Sequence, residues 1–198
     1  MSEKLSIPDI IQNGIQIGIK YVVPIIVNAI LSVISIWIPY LNGGIVIAWM
    51  TFPVKMARGE PIEMTEVWKP EYRKNMGDVF IAFALLVAAL LGSYIILGMG
   101  VVLMMGWYIA MQLVVDKGMT GPEAFKKSWE ATYGNKMTIF LAQLVFFVGF
   151  IVVSAILSAI GSIHSIVGIL TGLITLGLVL ALYPILYGMH AYIYQKLG

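Results

Sequence analysis

One uncharged stretch decides the fold: residues 137–195 read MTIFLAQLVFFVGFIVVSAILSAIGSIHSIVGILTGLITLGLVLALYPILYGMHAYIYQ. The stretch contains no Asp, Glu, Lys or Arg, and most of its residues are aliphatic or aromatic. It is too long to cross a hydrocarbon core of about 30 Å as a single helix. A weak polar break at residues 161–165, GSIHS, supplies a turn. The stretch therefore predicts a membrane hairpin over residues 137–195, with Pro184 kinking or tilting its second helix.

Two shorter uncharged stretches predict two further hairpins. Residues 21–54 are expected to turn at residues 39–44, PYLNGG, because Pro interrupts a helix and Asn-Gly favours a turn. Residues 79–115 are expected to turn at residues 97–100, LGMG. We therefore expect an all-α polytopic protein, with about six transmembrane helices forming one integral membrane domain over residues 1–198.

The charged residues predict the orientation. All 12 Lys and Arg lie in residues 1–20, 55–74 and 117–136 or at Lys196, and the 10 Asp and Glu lie in or beside the same segments. An even number of spans between consecutive segments puts every charge on one side, which the positive-inside bias identifies as the cytoplasm. We expect a multi-pass protein of the cytoplasmic (inner) membrane with both termini in the cytoplasm. Its cytoplasmic loops are then residues 55–78 and 116–136.

Composition supports the membrane class and excludes several others. The chain is 60% hydrophobic and 11% charged, which is too apolar for one soluble core. Its net charge of +2 gives no reason to expect nucleic acid as a partner. It contains no Cys, which excludes disulfides, thiolate catalysis and Cys-ligated metals.

Two segments outside the hairpins match helix-start signals. Residues 6–9, SIPD, resemble a capping box, and the helix predicted over residues 6–20 has one polar face and one face of Ile and Gly. That pattern is typical of a helix lying in the headgroup plane. Residues 120–123, TGPE, repeat the signal before a second segment with two faces. We expect short interfacial amphipathic helices at both places on the cytoplasmic surface.

The two cytoplasmic loops share a motif that runs from Gly through Pro to Trp, with the same Pro-to-Trp spacing in both. A polar pair containing Gly and then an apolar span follow each copy. This pattern indicates a parallel internal repeat of interfacial helix plus hairpin, with residues 6–54 as a looser third copy. The motif residues are Gly59, Pro61, Trp68, Gly118, Pro122 and Trp129.

The second copy, VDKGMTGPEAFKKSWE at residues 115–130 followed by Gly134-Asn135, resembles the signature of a broad prokaryotic group of six-helix membrane proteins. That group includes the membrane domain that precedes the soluble catalytic domain in some glycerophosphodiester phosphodiesterases. This chain departs from the group's pattern because Gly121 and Pro122 are adjacent. Residues 43–61 are similar to a related set of archaeal and bacterial proteins. The resemblance implies a six-helix fold and a membrane location. It implies no activity, because the soluble phosphodiesterase domain is absent from these residues.

No catalytic or metal-binding constellation is visible, so we expect neither catalytic residues nor a cofactor or metal. His164 and His190 fall on opposite sides of the predicted bilayer and are interpreted as interfacial. Asp116 is expected to be solvated or paired with Lys117. A group of acidic residues in the first cytoplasmic loop is neutralised by nearby Lys and Arg, and its spacing matches no ligand loop. The group comprises Glu60, Glu63, Glu66 and Glu71.

Polar residues within the predicted spans have two interpretations. They either join helices through hydrogen bonds or line a narrow uncharged pore. Ionisable groups at mid-depth are absent from the sequence, which argues against a proton-driven pump. The candidate pore-lining residues are Asn28, Ser32, Ser35, Gln112 and Gln143.

These observations favour a non-enzymatic integral membrane protein. The first hypothesis is a passive channel or small-solute exporter, assembled as a homo-oligomer because six spans leave one copy little room for a pore. The alternative is a membrane-organising or scaffold protein that acts through its hairpins and one-sided amphipathic helices. An enzyme acting on lipids ranks last. The expected partners are membrane lipids, other copies of the chain and an unidentified protein.

Overall fold

The computed structural model describes residues 4–74, 76–93 and 99–198. Within these ranges the chain is helical and no strand occurs, so the predicted all-α class is confirmed. Short 3-10 turns cover Ser35–Trp37, Glu66–Trp68 and Pro70–Arg73. The helices are α1 (Ile7–Lys20), α2 (Val22–Ile34), α3 (Pro39–Arg58), α4 (Met76–Ser93), α5 (Met99–Gly106), α6 (Ala110–Lys117), α7 (Gly121–Ala131), α8 (Lys136–Gly161) and α9 (Ser165–Leu197).

Four apolar segments among the described residues are long enough to span a membrane: α4, α5 together with α6, α8 and α9. A fifth exists if α1 and α2 count as one span, although the chain bends by 70° between them. Helix α3, which carries Lys55 and Arg58 near its end, is not among them. Membrane location is therefore supported, but the prediction of six spans is not confirmed.

Burial divides the molecule into two layers. Large apolar side chains are exposed along α8 and along the first half of α9, as expected for surfaces that face lipid. From Pro184 onward α9 becomes largely buried, and it packs there with α1 and α3. With 33 residues, α9 is about 50 Å long and exceeds a hydrocarbon core of about 30 Å. Its C-terminal part therefore belongs to a second layer, built with α1, α3, the end of α6 and α7. We call it the charged layer because half of the 22 charged side chains lie there.

Helix α1 starts as predicted but packs differently. The Ser6 side chain caps it by accepting a hydrogen bond from the backbone N–H of Asp9 at 3.2 Å. Its Ile and Gly face, predicted to rest in the headgroup plane, is instead covered by the antiparallel C-terminal part of α9. The covered residues are Ile10, Gly14 and Gly18. A β-carbon added to Gly18 would lie 2.5 Å from the carbonyl oxygen of Pro184, so the two backbones touch.

The first predicted turn was wrong. The chain turns at Ser35–Ile38, and Pro39 occupies the first turn of α3 while residues 42–44 lie inside that helix. Pro is favoured at the first position of a helix because its missing N–H would have no partner there. The turn predicted at residues 161–165 is confirmed, since α8 ends at Gly161 and α9 begins at Ser165. In the turn predicted at residues 97–100, residues 97 and 98 lie outside the described residues, and residues 99 and 100 are the first two of α5.

The predicted internal repeat is not confirmed. Both motif loops begin with a left-handed glycine, Gly59 at φ 71° and Gly118 at φ 60°, which ends the preceding helix. After these caps the loops diverge. The second continues into α7, whereas the first, over residues 59–75 and here called the charged loop, contains two 3-10 turns where it is described.

Candidate functional site

The five polar residues predicted to line a pore lie in two separate places. Asn28, Ser32 and Ser35 lie on the side of α2 that faces the charged loop and α3. Gln112 and Gln143 lie on the wall of a cavity between helices. The structure therefore does not bring the five together, and a pore built from all of them stays a prediction.

Asn28 joins α2 to the charged loop. Its Oδ1 accepts a hydrogen bond from the backbone N–H of Val67 at 2.9 Å. Its Nδ2 donates to the carbonyl oxygens of Glu63 at 2.7 Å and Pro24 at 2.8 Å. The side chain is fully buried. An amide in a predicted span thus pairs with backbone groups of a loop, rather than with a neighbouring span.

The charged loop follows α2 from one end to the other. At the start of α2, the hydroxyl of Tyr21 donates to the carbonyl oxygen of Glu60 at 3.0 Å. At its end, Trp68 Nε1 donates to Ser35 Oγ at 2.7 Å. Tyr21 and Asn28, and then Asn28 and Ser35, are about two helical turns apart, so the three contacts lie on one face.

The opposite face of α2 is apolar and uncovered. Its exposed residues continue beyond the end of the helix to the aromatic ring of Trp37, whose side chain is 87% exposed. Helical periodicity places them on the side facing away from Asn28. We call this surface the apolar stripe, and it consists of Val23, Ile30, Val33, Ile34 and Trp37.

Glu66 is the centre of the contacts between the charged loop and α3. Its fully buried carboxylate accepts hydrogen bonds from Lys55 Nζ at 2.5 Å and from the Tyr72 hydroxyl at 2.6 Å. The backbone N–H of Glu63 donates to its other oxygen at 2.9 Å, and Lys69 Nζ lies 3.2 Å from that oxygen. Burial raises the pKa of Glu66, but the three hydrogen bonds and the positive charge of Lys55 outweigh burial and lower the pKa to about 2.

The far end of the charged loop reaches the start of α3. The Arg73 guanidinium lies 5.1 Å from the centroid of the Tyr40 ring. A β-carbon on Gly44 would lie 2.8 Å from Arg73 Cγ, so the two segments pack closely. At the other end of α3, Arg58 forms an ion pair with Asp116. Both ends of α3 therefore contact charged residues.

Asp116, at the end of α6, contacts the ends of α3 and α9. Its side chain is only 5% exposed, so the predicted solvation is wrong, and its ion pair is with Arg58 of α3. The Tyr194 hydroxyl of α9 donates to its other oxygen at 2.5 Å. Among the described residues, no group of three or more His, Asp or Glu is arranged to hold a metal ion.

Trp129 of the second motif loop packs against α5. The predicted capping box is present, with Glu123 accepting from the backbone N–H of Thr120 at 3.2 Å. The Trp129 ring lies against Gly106, and Lys136 Nζ lies 3.0 Å from the ring centroid. Pro122 opens α7, as Pro often does at a helix start. These contacts give the motif a structural role.

A cavity of about 620 Å³ lies between α3, α4, α6, α8 and α9. Most of its lining is apolar or aromatic, including Trp49 and Trp107. A second cavity of about 540 Å³ shares Trp49 with it and lies between α2, α3 and α9. Polar side chains converge on one side of the larger cavity. We call that side the polar wall, and it consists of Tyr108, Gln112, Gln143 and His190.

Some of the side chains in the polar wall have hydrogen-bond partners. His190 Nε2 lies 3.0 Å from Gln112 Oε1, and the imidazole tautomer and the orientation of the amide decide which of the two donates. The His190 ring stacks on Tyr108 with a centroid separation of 4.3 Å. Gln112 Nε2 makes a long hydrogen bond of 3.5 Å to the carbonyl oxygen of Met50. Among the described residues, Gln143 Nε2 is buried and has no partner in good hydrogen-bond geometry, although the Tyr108 hydroxyl lies beside the Gln143 amide.

Sequence reasoning missed His190 as a site residue, because its position near the end of α9 suggested a residue at the membrane surface. The available signal was a single His among closely spaced Tyr residues in the last turns of a helix whose one charged residue is Lys196. No protein-family model matches the chain, and neither the curated proteins nor the solved structures contain a match. The resemblance to the six-helix prokaryotic group therefore stays a prediction.

Proposed function

We propose that this chain is a non-enzymatic membrane-organising protein that inserts its first hairpin, α2 and α3, into one leaflet only. The observation that carries the proposal is the set of hydrogen bonds between α2 and the charged loop, from Tyr21 through Asn28 to Ser35. A hairpin tied along its length to a charged loop stays at the surface where that loop lies.

The charged side chains of that loop restrict how deeply it can lie in the membrane. Glu60, Glu71 and Lys74 are exposed, and charged side chains exposed to hydrocarbon are strongly disfavoured. Because Arg73 contacts Tyr40 while Arg58 contacts Asp116, α3 has charged partners at both ends. Both helices of the hairpin then lie near one membrane surface, with the apolar stripe of α2 directed into the hydrocarbon.

Four spans complete this topology: α4, α5 with α6, α8 and α9. An even number of them separates consecutive charged segments, so every charge lies on the side of the hairpin. The positive-inside bias assigns that side to the cytoplasm, with both termini there. One leaflet then holds four spans and a hairpin, whereas the other holds four spans alone. Extra protein area in one leaflet favours curvature toward that side.

The alternative is the oligomeric passive channel or exporter. The first hairpin gives it no support, because Asn28 and Ser35 direct their hydrogen-bonding groups toward the charged loop. A homo-oligomer and an unidentified protein partner stay predictions.

The test is reconstitution of the full chain into liposomes, followed by electron microscopy of vesicle shape and stopped-flow measurement of glycerol flux. We expect tubulated vesicles and a glycerol flux equal to that of empty liposomes. Trp37→Gln, which makes the apolar stripe more polar, is expected to reduce tubulation. Met64→Gln is the matched control, because Met64 is 47% exposed but lies on the charged loop.

Two results would overturn the proposal. Raised glycerol flux with unchanged vesicle shape would favour the channel. Equal loss of tubulation in Trp37→Gln and Met64→Gln would mean that insertion of the stripe does not drive the deformation.

A further inference from the structure

We propose that the cavity bounded by the polar wall binds an uncharged amphiphile that has a carbonyl-bearing head and an apolar tail. The inference goes beyond the membrane-organising function and does not depend on it. Its volume of about 620 Å³ lies within the range of small-molecule sites, and its lining is mostly apolar with a few convergent polar groups.

The charge of the ligand follows from the lining. Among the described residues that line the cavity there is no Asp, Glu, Lys or Arg. A charged head placed there would lose its hydration without gaining a counter-charge, which is strongly unfavourable. The site therefore selects an uncharged head.

The donors and acceptors of the polar wall specify the chemistry of that head. The side chains of Gln112 and His190 pair with each other. Among the described residues, Gln143 Nε2 is a buried donor with no partner in good hydrogen-bond geometry, and the Tyr108 hydroxyl lies beside it. A buried donor is stabilised when it meets an acceptor, and a ligand carbonyl oxygen supplies one.

The polar wall lies at the depth in the membrane where the head of such an amphiphile is found. Gln143 lies about two turns after Lys136, at the start of α8, and His190 lies about two turns before Lys196, at the end of α9. Both are close to the charged layer, where lipid headgroups meet the hydrocarbon. Phe147 and Tyr183 also line the cavity, and their side chains are 39% and 63% exposed on helices that face lipid. An apolar tail thus has a route from the bilayer.

Two sources supply this chemistry: a neutral glyceride and an isoprenoid quinone. The experiment uses the full chain in nanodiscs and follows quenching of tryptophan fluorescence, because Trp49 and Trp107 line the cavity. The probes are a brominated diacylglycerol, a short-chain isoprenoid benzoquinone and a brominated phosphatidic acid as the charged comparator. We expect saturable quenching by at least one uncharged probe, and only weak linear quenching by phosphatidic acid. The uncharged probe that saturates identifies the source.

The decisive variant is Gln143→Leu, which removes the buried amide donor. We expect its apparent dissociation constant for the saturating probe to rise by about tenfold, the effect of losing one buried hydrogen bond. Ser154→Ala is the matched control: Ser154 Oγ is also buried without a partner on α8, but it does not line the cavity. Its dissociation constant is expected to equal that of the wild type.

A second variant keeps the test valid if Gln143→Leu folds poorly. Val46→Phe enlarges an apolar side chain of the lining, and is expected to weaken binding of the uncharged probe without changing the circular dichroism. The proposal is overturned if neither uncharged probe saturates, if phosphatidic acid binds as tightly as they do, or if both variants bind like the wild type.

Discussion

Gly188 of α9 lies directly against the backbone carbonyl of Gly14 in α1, with no space for a β-carbon between the two helices. Gly18, one turn further along α1, makes the same kind of contact with Pro184. Small residues at this spacing allow helices to approach to backbone contact. The contact fixes α1 along the buried part of α9 and places Tyr21, where the chain bends, beside the start of the charged loop.

Gly188→Ala is expected to destabilise the protein by roughly 1–3 kcal/mol, because an overpacked contact forces the backbones apart. The measurement is the midpoint of thermal unfolding in detergent. Gly177→Ala is the control on the same helix, since a β-carbon there meets nothing within 4 Å. Ala favours helix over Gly by up to about 1 kcal/mol, so the control is expected to unfold at the same temperature or higher. Equal destabilisation of both variants would contradict the close contact.

Asn28→Leu is expected to loosen the charged loop. The substitution leaves the backbone N–H of Val67 and the carbonyl of Glu63 without their partner, at roughly 1–3 kcal/mol for each buried group left unpaired. Limited trypsin digestion measures the effect, and cleavage after Arg73 is expected to accelerate.

The control for this experiment is Asn13→Leu. Asn13 makes only an exposed hydrogen bond to the carbonyl of Asp9. Its loss is expected to change stability by no more than about 0.5 kcal/mol. If the loop were cut equally fast in both variants, the hydrogen bonds of Asn28 would not hold it.

Local signals in the sequence predicted local structure well. The start of α1, the capping box of α7 and the turn between α8 and α9 depend on residues a few positions apart, and the structure confirms them. The prediction of the first turn was wrong for a reason that is also local. The predicted turn treats Pro39 as a helix breaker, although Pro also fits the first turn of a helix.

Contacts between segments that are distant in the sequence could not be predicted from its hydrophobic pattern. Asn28 and Gln112 are both amides in uncharged stretches, yet one pairs with a loop and the other lines a cavity. Hydrophobic periodicity identifies a face but not the element that covers it. The spacing of Gly14 and Gly18 was visible in the sequence and would have predicted a tight helix contact, but not that α9 supplies the partner.

Acid is expected to weaken the attachment of the charged loop. The pKa of Glu66 is lowered from 4.5 to about 2 in the folded protein. Its ionised form therefore stabilises the fold above the unfolded pKa, and this stabilisation is lost as the pH falls from 4.5 toward about 2. The midpoint of thermal unfolding, followed from neutral to strongly acidic pH, is expected to drop across this window.

The variant Glu66→Gln tests whether Glu66 is responsible for the loss of stability in acid. The variant cannot titrate at this position, so its acid decline is expected to be shallower than that of the wild type. It is also expected to be less stable at neutral pH, because Lys55 loses its charged partner. Glu71→Gln, at an exposed position, is expected to keep the steep decline. The same steep decline in Glu66→Gln would assign the acid sensitivity to another group.

Single cysteines distinguish a one-sided hairpin from a spanning one, since the chain has no Cys of its own. Asn42 lies near the start of α3, about half a turn before Gly44, which packs against Arg73. We expect a membrane-impermeant maleimide to label Asn42→Cys in inside-out vesicles and not in intact cells. Ser162→Cys, in the turn between α8 and α9, is expected to react in intact cells, and Lys126→Cys on α7 is expected to react only in inside-out vesicles. Labelling of Asn42→Cys in intact cells would place the end of the hairpin on the far side of the membrane and restore the six-span topology.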